Sequence, residues 1–199
     1  MFRLIYTMPL YKVCLVMVLL LVLWAYYRAY LPKKLFAAMN LCLLVTSVFA
    51  VLYLTVFSRK VGTYDIVLVP FSALSEAKKE PERYRSMLMN VFLFFPLGMA
   101  CANAFSDKMK MRRRVILAIV IGFALSTAVE YIQYRFSLGM AETDDVICNT
   151  LGAIVGSLSV TLADFLANKV PINPTALAIR NYIDMHLTES LSLDHLADT

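Results

Sequence analysis

The sequence predicts an all-α integral membrane protein: a bundle of five transmembrane helices with a short cytoplasmic helical tail. Three observations carry that reading. Of the 199 residues, 60% are hydrophobic and only 17% are charged, where soluble domains run at about 45–50% and roughly 25%. Mean hydropathy is +0.69. The apolar residues also fall in five blocks, each near the roughly 20 residues that cross about 30 Å of hydrocarbon at about 1.5 Å per residue. The net charge of +5 does not demand a nucleic acid, because Lys and Arg concentrate in the cytoplasmic loops of membrane proteins.

The first block is Leu10–Tyr30. Arg3 and Lys12 ahead of an apolar stretch resemble a secretory signal, but "LWAYYRAYLPKK" follows and offers no small-residue cleavage site. An uncleaved transmembrane helix is expected. Pro32 separates it from the second block, Leu35–Phe57. The third is Met87–Phe105, the fourth Val115–Tyr134 and the fifth Val146–Leu166. Trp24, Tyr26, Tyr27, Tyr30, Tyr131 and Tyr134 cluster near block ends, as an interfacial belt would. Pro96 in "NVFLFFPLG" removes a backbone donor and predicts a kink in the third helix. Cys14, Cys42, Cys101 and Cys148 show no disulfide framework and no metal-ligand spacing, so they read as small buried hydrophobes. No metal site and no cofactor are indicated.

Topology follows from charge. "SDKMKMRRR" at 106–114 holds five basic residues and one acid, which marks it as cytoplasmic. Five spans then put the N-terminus and the loops 58–86 and 135–145 outside, and the C-terminus inside. The loop 58–86 also carries six basic residues against four acids, an opposing signal.

With that topology the polar residues of the spans converge. Ser126, Glu130 and Gln133 stand at i, i+4 and i+7 and share a face near the outer end of the fourth helix. Asn90 lies near the outer end of the third, and Asp144, Asp145 and Asn149 begin the fifth, the last two one turn apart. Arg135 follows the acid–amide pair and is a natural partner for Glu130 or an aspartate. Intramembrane acids point to a function by default. Glu130, Arg135 and Asp145 are therefore the candidate catalytic residues, with Glu130 or Asp145 as general base and Arg135 pairing with a phosphate or carboxylate. Asn90, Ser126, Gln133, Asp144 and Asn149 are the candidate binding residues. The competing reading is that this set is glue, an ion pair and interhelical hydrogen bonds of about 0.6–2 kcal/mol each. The inner half shows only Asn40, Asn103 and Asp164, too few to line a transport path. Gly152 and Gly156 form GxxxG, a stripe for close packing inside the bundle or for helix–helix self-association.

At these residues the chain resembles the VanZ-like family of bacterial membrane proteins. The similar blocks are "VPF" at 69–71, "NVFLFFPLG" at 90–98, "STAVEYIQYRF" at 126–136 and "TDDVICNTLGAIVG" at 143–156. They span most of 66–160, leaving the first helix outside. In the family pattern an arginine and an aspartate flank the loop before the last helix, and Arg135 and Asp145 match them. Glu130 and Gln133 match its acid–amide pair and Asn149 its asparagine. The resemblance implies action at the cell surface, since the family is named for resistance to teicoplanin, a glycopeptide antibiotic. A bacterial multi-pass membrane protein that meets lipid, and binds a lipid-linked envelope precursor or an amphiphilic antibiotic, is the expectation.

Three regions are thus expected: 1–34, an extra helix and connection; 35–166, a VanZ-like four-helix core; and 167–199, a linker and amphipathic tail. In the tail Ile179, Ile183 and Leu187 form a helical stripe, and Leu191, Leu193 and Leu196 open a second short helix. This resembles the opening of an AraC-type DNA-binding domain that stops before a recognition helix, so this chain alone is not expected to bind nucleic acid. The alternative function is accordingly a non-catalytic membrane anchor or sensor module of a truncated AraC-type regulator. His186 and His195 read as surface residues rather than ligands.

Overall fold

The computed structural model describes residues 9–62, 65–72, 81–104, 109–167 and 174–185. Five of its helices are long and apolar enough to cross a membrane. They are α1 (Leu10–Tyr30), α2 (Lys33–Leu52, prolonged by a π turn at Tyr53–Phe57), α3 (Pro81–Ala104), α4 (Met111–Arg135) and α5 (Thr143–Ala167). A shorter helix, α6 (Pro174–Met185), follows. Successive spans run antiparallel, as the contacts of Asn40 with Ala100, Arg114 with Ala102 and Asn149 with Ser126 show, so the bundle has a Glu130 end and an Asp164 end.

Several helices outrun their hydropathy-defined blocks. Pro81 starts α3 six residues before Met87, where its fixed φ suits a first helical turn and its missing N–H costs nothing. α4 begins at Met111 and draws the arginine run into its first turns. α3 is a continuous helix through Pro96.

α3 is the central helix. Its packing against α5 rests on residues that have no side chain to keep the backbones apart. A Cβ on Gly152 would lie 2.2 Å from the Val91 carbonyl oxygen, and one on Gly156 would lie 2.1 Å from that of Phe95. Gly98 on α3 meets the Ala153 carbonyl in the same way, at 2.2 Å. The GxxxG stripe is therefore buried against α3 within the chain. The self-association entertained for Gly152 and Gly156 finds its surface already covered.

Two apolar clusters flank this seam. On one side Met17, Leu21, Trp24 and Leu31 of α1 and its connection, spaced at three to four residues and longer, lie against Phe36, Phe95, Met99, Ala102 and Val160. On the other, Val51, Phe94, Leu97, Cys101, Ala118 and Val129 join α2, α3 and α4. Leu15, Val18, Leu19 and Val22 of α1 remain exposed, as a lipid-facing surface requires.

Trp24 corrects one expectation. It is buried in the first cluster, edge-on to Phe36 with centroids 6.3 Å apart, rather than in a belt. Tyr26, Tyr30, Tyr131 and Tyr134 are exposed. The cysteines divide: Cys101 and Cys148 are buried, whereas Cys14 and Cys42 lie on the outer surface.

α6 borders the start of α2, with Asn181 and Met185 beside Lys33 and Lys34. Ile179 is exposed on it. Leu187, Leu191, Leu193, Leu196 and both histidines lie outside the described residues.

Candidate functional site

The Glu130 end is closed by a cap that begins with the way α4 stops. Ser137 adopts φ 54°. Its N–H donates to the Tyr134 carbonyl and that of Leu138 to Gln133, the paired bonds of a left-handed helix stop, with serine in place of the usual glycine. The chain then turns through Gly139 at φ 151°, and Ala141–Glu142 pairs in parallel with Ile66–Val67. This two-residue ladder ties the α2–α3 connection to the α4–α5 connection, and the Gly62 N–H adds a bond to Ser137 O. It is the one departure from an all-α chain among the described residues.

Side chains of the bundle hold the cap down. Glu130 is 7% exposed, and its Oε2 accepts the Glu142 N–H at 3.0 Å. The Glu142 carboxylate takes Arg83 Nη2 of α3 at 2.6 Å. Asp144, in the first turn of α5, accepts the Phe71 N–H at 2.5 Å and the Ser72 hydroxyl at 3.4 Å. Phe71 sits at φ 63°, a region a bulky residue rarely enters without outside support. The Asp144 bond supplies that support, which gives "VPF" a physical role.

Beneath the cap, α4 and α5 meet along a polar seam. Asn149 Nδ2 donates to Ser126 Oγ at 2.9 Å, and both residues are buried. One turn toward the cap stand Glu130 and Asp145. Neither forms an ion pair with a described residue. Gln133, 1% exposed, donates to the Thr55 carbonyl at 2.9 Å. That carbonyl is one of the last of α2, which lack a helical donor. The other amide oxygens, Gln133 Oε1 and Asn149 Oδ1, are buried and meet no donor among the described residues.

The cations differ from expectation. Arg135 is exposed at the last turn of α4, and no ion pair of the described residues includes it. Arg83 and Arg59 stand nearer the acids. Arg59 acts on both Glu130 and Asp145 through space, and its Nη1 lies where a Cβ on Gly139 would be, 2.5 Å away. Asn90 is half-buried on α3 beside Val91, the residue that packs on Gly152. Sequence reasoning missed Glu142, Arg83, Arg59 and Thr55 as members. The acid run "AETDD" at 141–145 was a usable signal for Glu142. The described residues contain no group of three metal-ligating side chains.

Residues 18–164 match the model of the VanZ/LLP1 family. The chain belongs to the VanZ-like family. The match begins at Val18, so it takes in most of α1 as well as α2 to α5. The VanZ-like region therefore holds the cap, the seam and the α3–α5 glycine packing together. No curated protein and no solved structure matches the chain.

Proposed function

We propose that this VanZ-like membrane protein binds an amphiphile at the Glu130 end of its bundle, and that this end faces the cell exterior. The ligand class is a lipid-linked cell-envelope precursor or a glycopeptide-type antibiotic such as teicoplanin. One observation carries the reading: Glu130 and Asp145 each stand one turn capward of the Ser126–Asn149 hydrogen bond of the α4–α5 seam, and neither forms an ion pair with a described residue. An acid in a transmembrane segment costs about 3 kcal/mol. Acids retained there without a direct ion pair are poor glue and a reasonable recognition site. The exposed Arg135 and Arg59 at the rim suit a phosphate or carboxylate on the same headgroup. The orientation is supported by the lysine- and arginine-rich stretch 106–114, which precedes α4 at the opposite end.

The test is antibiotic tolerance together with membrane abundance, in a bacterium carrying the gene, for Glu130→Gln, Asp145→Asn and Arg135→Ala. The two isosteric changes are expected to cut tolerance by about tenfold, the equivalent of about 1.4 kcal/mol, at unchanged abundance. Arg135→Ala has a smaller effect, because solvent screens a rim charge. Full tolerance in all three at full abundance would overturn the reading, and tolerance falling in step with abundance would show that the acids serve folding alone.

A further inference from the structure

We propose that the cap at the Glu130 end lies in the headgroup layer of its leaflet, with its apolar outer side against phospholipid rather than in water. The inference stands apart from the amphiphile-binding reading and names the phase to which that end of the bundle opens.

The first observation is that the cap is inside out. Leu68, Val69 and Phe71 of the α2–α3 connection and Phe136 of the α4–α5 connection are each 60–73% exposed. Single apolar side chains on a surface need no explanation. These, however, belong to two connections that the ladder of Ile66–Val67 with Ala141–Glu142 ties into one body. Val67 and its partner Glu142 take the less exposed side of that ladder, where Arg83 holds the Glu142 carboxylate. Ile66 and Met140 are exposed. A cap in water would turn its carboxylate out and its apolar residues in.

The second observation concerns the backbone. A segment removed from water has to satisfy its polar backbone groups within the protein. Here the bundle's acids do part of that work: Glu130 accepts the Glu142 N–H and Asp144 accepts the Phe71 N–H. The Gly62 N–H donates to the Ser137 carbonyl and the Ala141 N–H to that of Asp65. In a solvated loop water would serve these donors.

Length places the cap at the right depth. Lys33–Phe57 and Met111–Arg135 have 25 residues each, about 37 Å at about 1.5 Å per residue. The hydrocarbon is about 30 Å thick and the whole bilayer about 40–45 Å. Helices of that length, centred in the bilayer, end inside the headgroup layer, and the cap closes over those ends. The cap also continues a lipid-facing surface. Val120, Phe123, Tyr131 and Tyr134 are exposed along one stripe of α4 that leads to Phe136. Arg59, Lys60 and Arg135 are exposed near these aromatic residues in the chain. Aromatic rings together with long cations mark the level of the lipid phosphates, whose charge the cations complement.

The experiment uses the full chain in phosphatidylcholine nanodiscs. Trp24, the only tryptophan, is buried in the first apolar cluster, so a second tryptophan can be read against the wild type. Leu68→Trp and Phe136→Trp are compared with Val120→Trp at the middle of α4. In lipid brominated on acyl carbons near the glycerol, the added emission of both cap variants is expected to be lost as it is for Val120→Trp, with little loss to aqueous acrylamide. The wild-type chain in diazirine-bearing phosphatidylcholine should be labelled within 66–71 and 134–140, which removes any bias from the introduced tryptophans. Emission lost to acrylamide but not to brominated lipid would overturn the proposal by placing the cap in water. Emission protected from both would overturn it by showing a second copy or another segment of this chain on the patch, and so would lipid labelling confined to the helices. None of these outcomes alters the tolerance of the Glu130 and Asp145 variants, so the proposal and the amphiphile-binding reading fail separately.

Discussion

At the Asp164 end of the bundle both carboxylate oxygens of Asp164 meet a guanidinium, whereas at the Glu130 end neither Glu130 nor Asp145 forms an ion pair with a described residue. Arg114 Nη2 lies 2.7 Å from one Asp164 oxygen and Arg28 Nε 3.5 Å from the other. Arg114 Nε also donates to the Ala102 carbonyl at 2.6 Å, among the last carbonyls of α3. Asn40 reaches the Ala100 carbonyl from α2 at 3.0 Å. One carboxylate thus links α1, α4 and α5, and the arginine it holds caps α3. That arrangement clamps four helices through one carboxylate and one arginine. The Glu130 end uses comparable residues yet leaves Glu130 and Asp145 without an ion pair among the described residues, while buried amide oxygens go unmatched at both ends, at Asn40 and Asn103 as at Gln133 and Asn149. Composition does not separate the two ends; whether an acid holds a direct ion pair does.

Breaking the clamp should show the largest effect. Arg114 is buried with its ion pair, so Arg114→Ala leaves Asp164 with a weaker partner and Ala102 uncapped. Loss of a buried pair costs about 3 kcal/mol or more. Tm in nanodiscs and membrane abundance should both fall sharply, and wild-type values would erase the contrast between the ends. An intermediate loss is expected at the cap. Gly139→Ala forces a side chain into φ 151° and against Arg59, at a cost of about 1–3 kcal/mol. Tm should drop modestly while tolerance drops further, because Arg59 is displaced from the acids. If both measures match wild type, Arg59 has no part in the site. Arg28→Ala should do least. Its guanidinium is 30% exposed and its pair is long, though it also lies over the Phe36 ring at 5.3 Å. A change of about 0–1 kcal/mol in thermal stability is expected. A loss equal to that of Arg114→Ala would show that both arginines are needed.

Much of the fold was legible because hydropathy and helix rise are local properties. Leu10–Tyr30 was read with its observed bounds, and each other span was recognised with ends off by a few residues. Those ends moved for reasons hydropathy does not see: Pro81 as a helix start, and Arg114, which is buried in the first turns of α4 by its pair with Asp164. The inner polar residues looked scattered, since Asn40, Arg114 and Asp164 are far apart in the chain and only packing unites them. Arg135 looked like the partner of Glu130 because it is near in sequence, but five residues along a helix is the wrong azimuth.

The order of the spans, the glycine stripe, the family and the depth of each polar side chain were settled by the chain's own residues. Residue count along an antiparallel helix fixes height, and that needs no knowledge of neighbours. Which side chains at a given height meet was decided only in three dimensions. The rotation of α3 against α5 is set by how closely Gly98, Gly152 and Gly156 let the two approach. The cap likewise depends on a parallel pairing between connections more than seventy residues apart. Those contacts put Arg83 on Glu142, turned Arg135 outward and left Glu130 and Asp145 without an ion pair among the described residues.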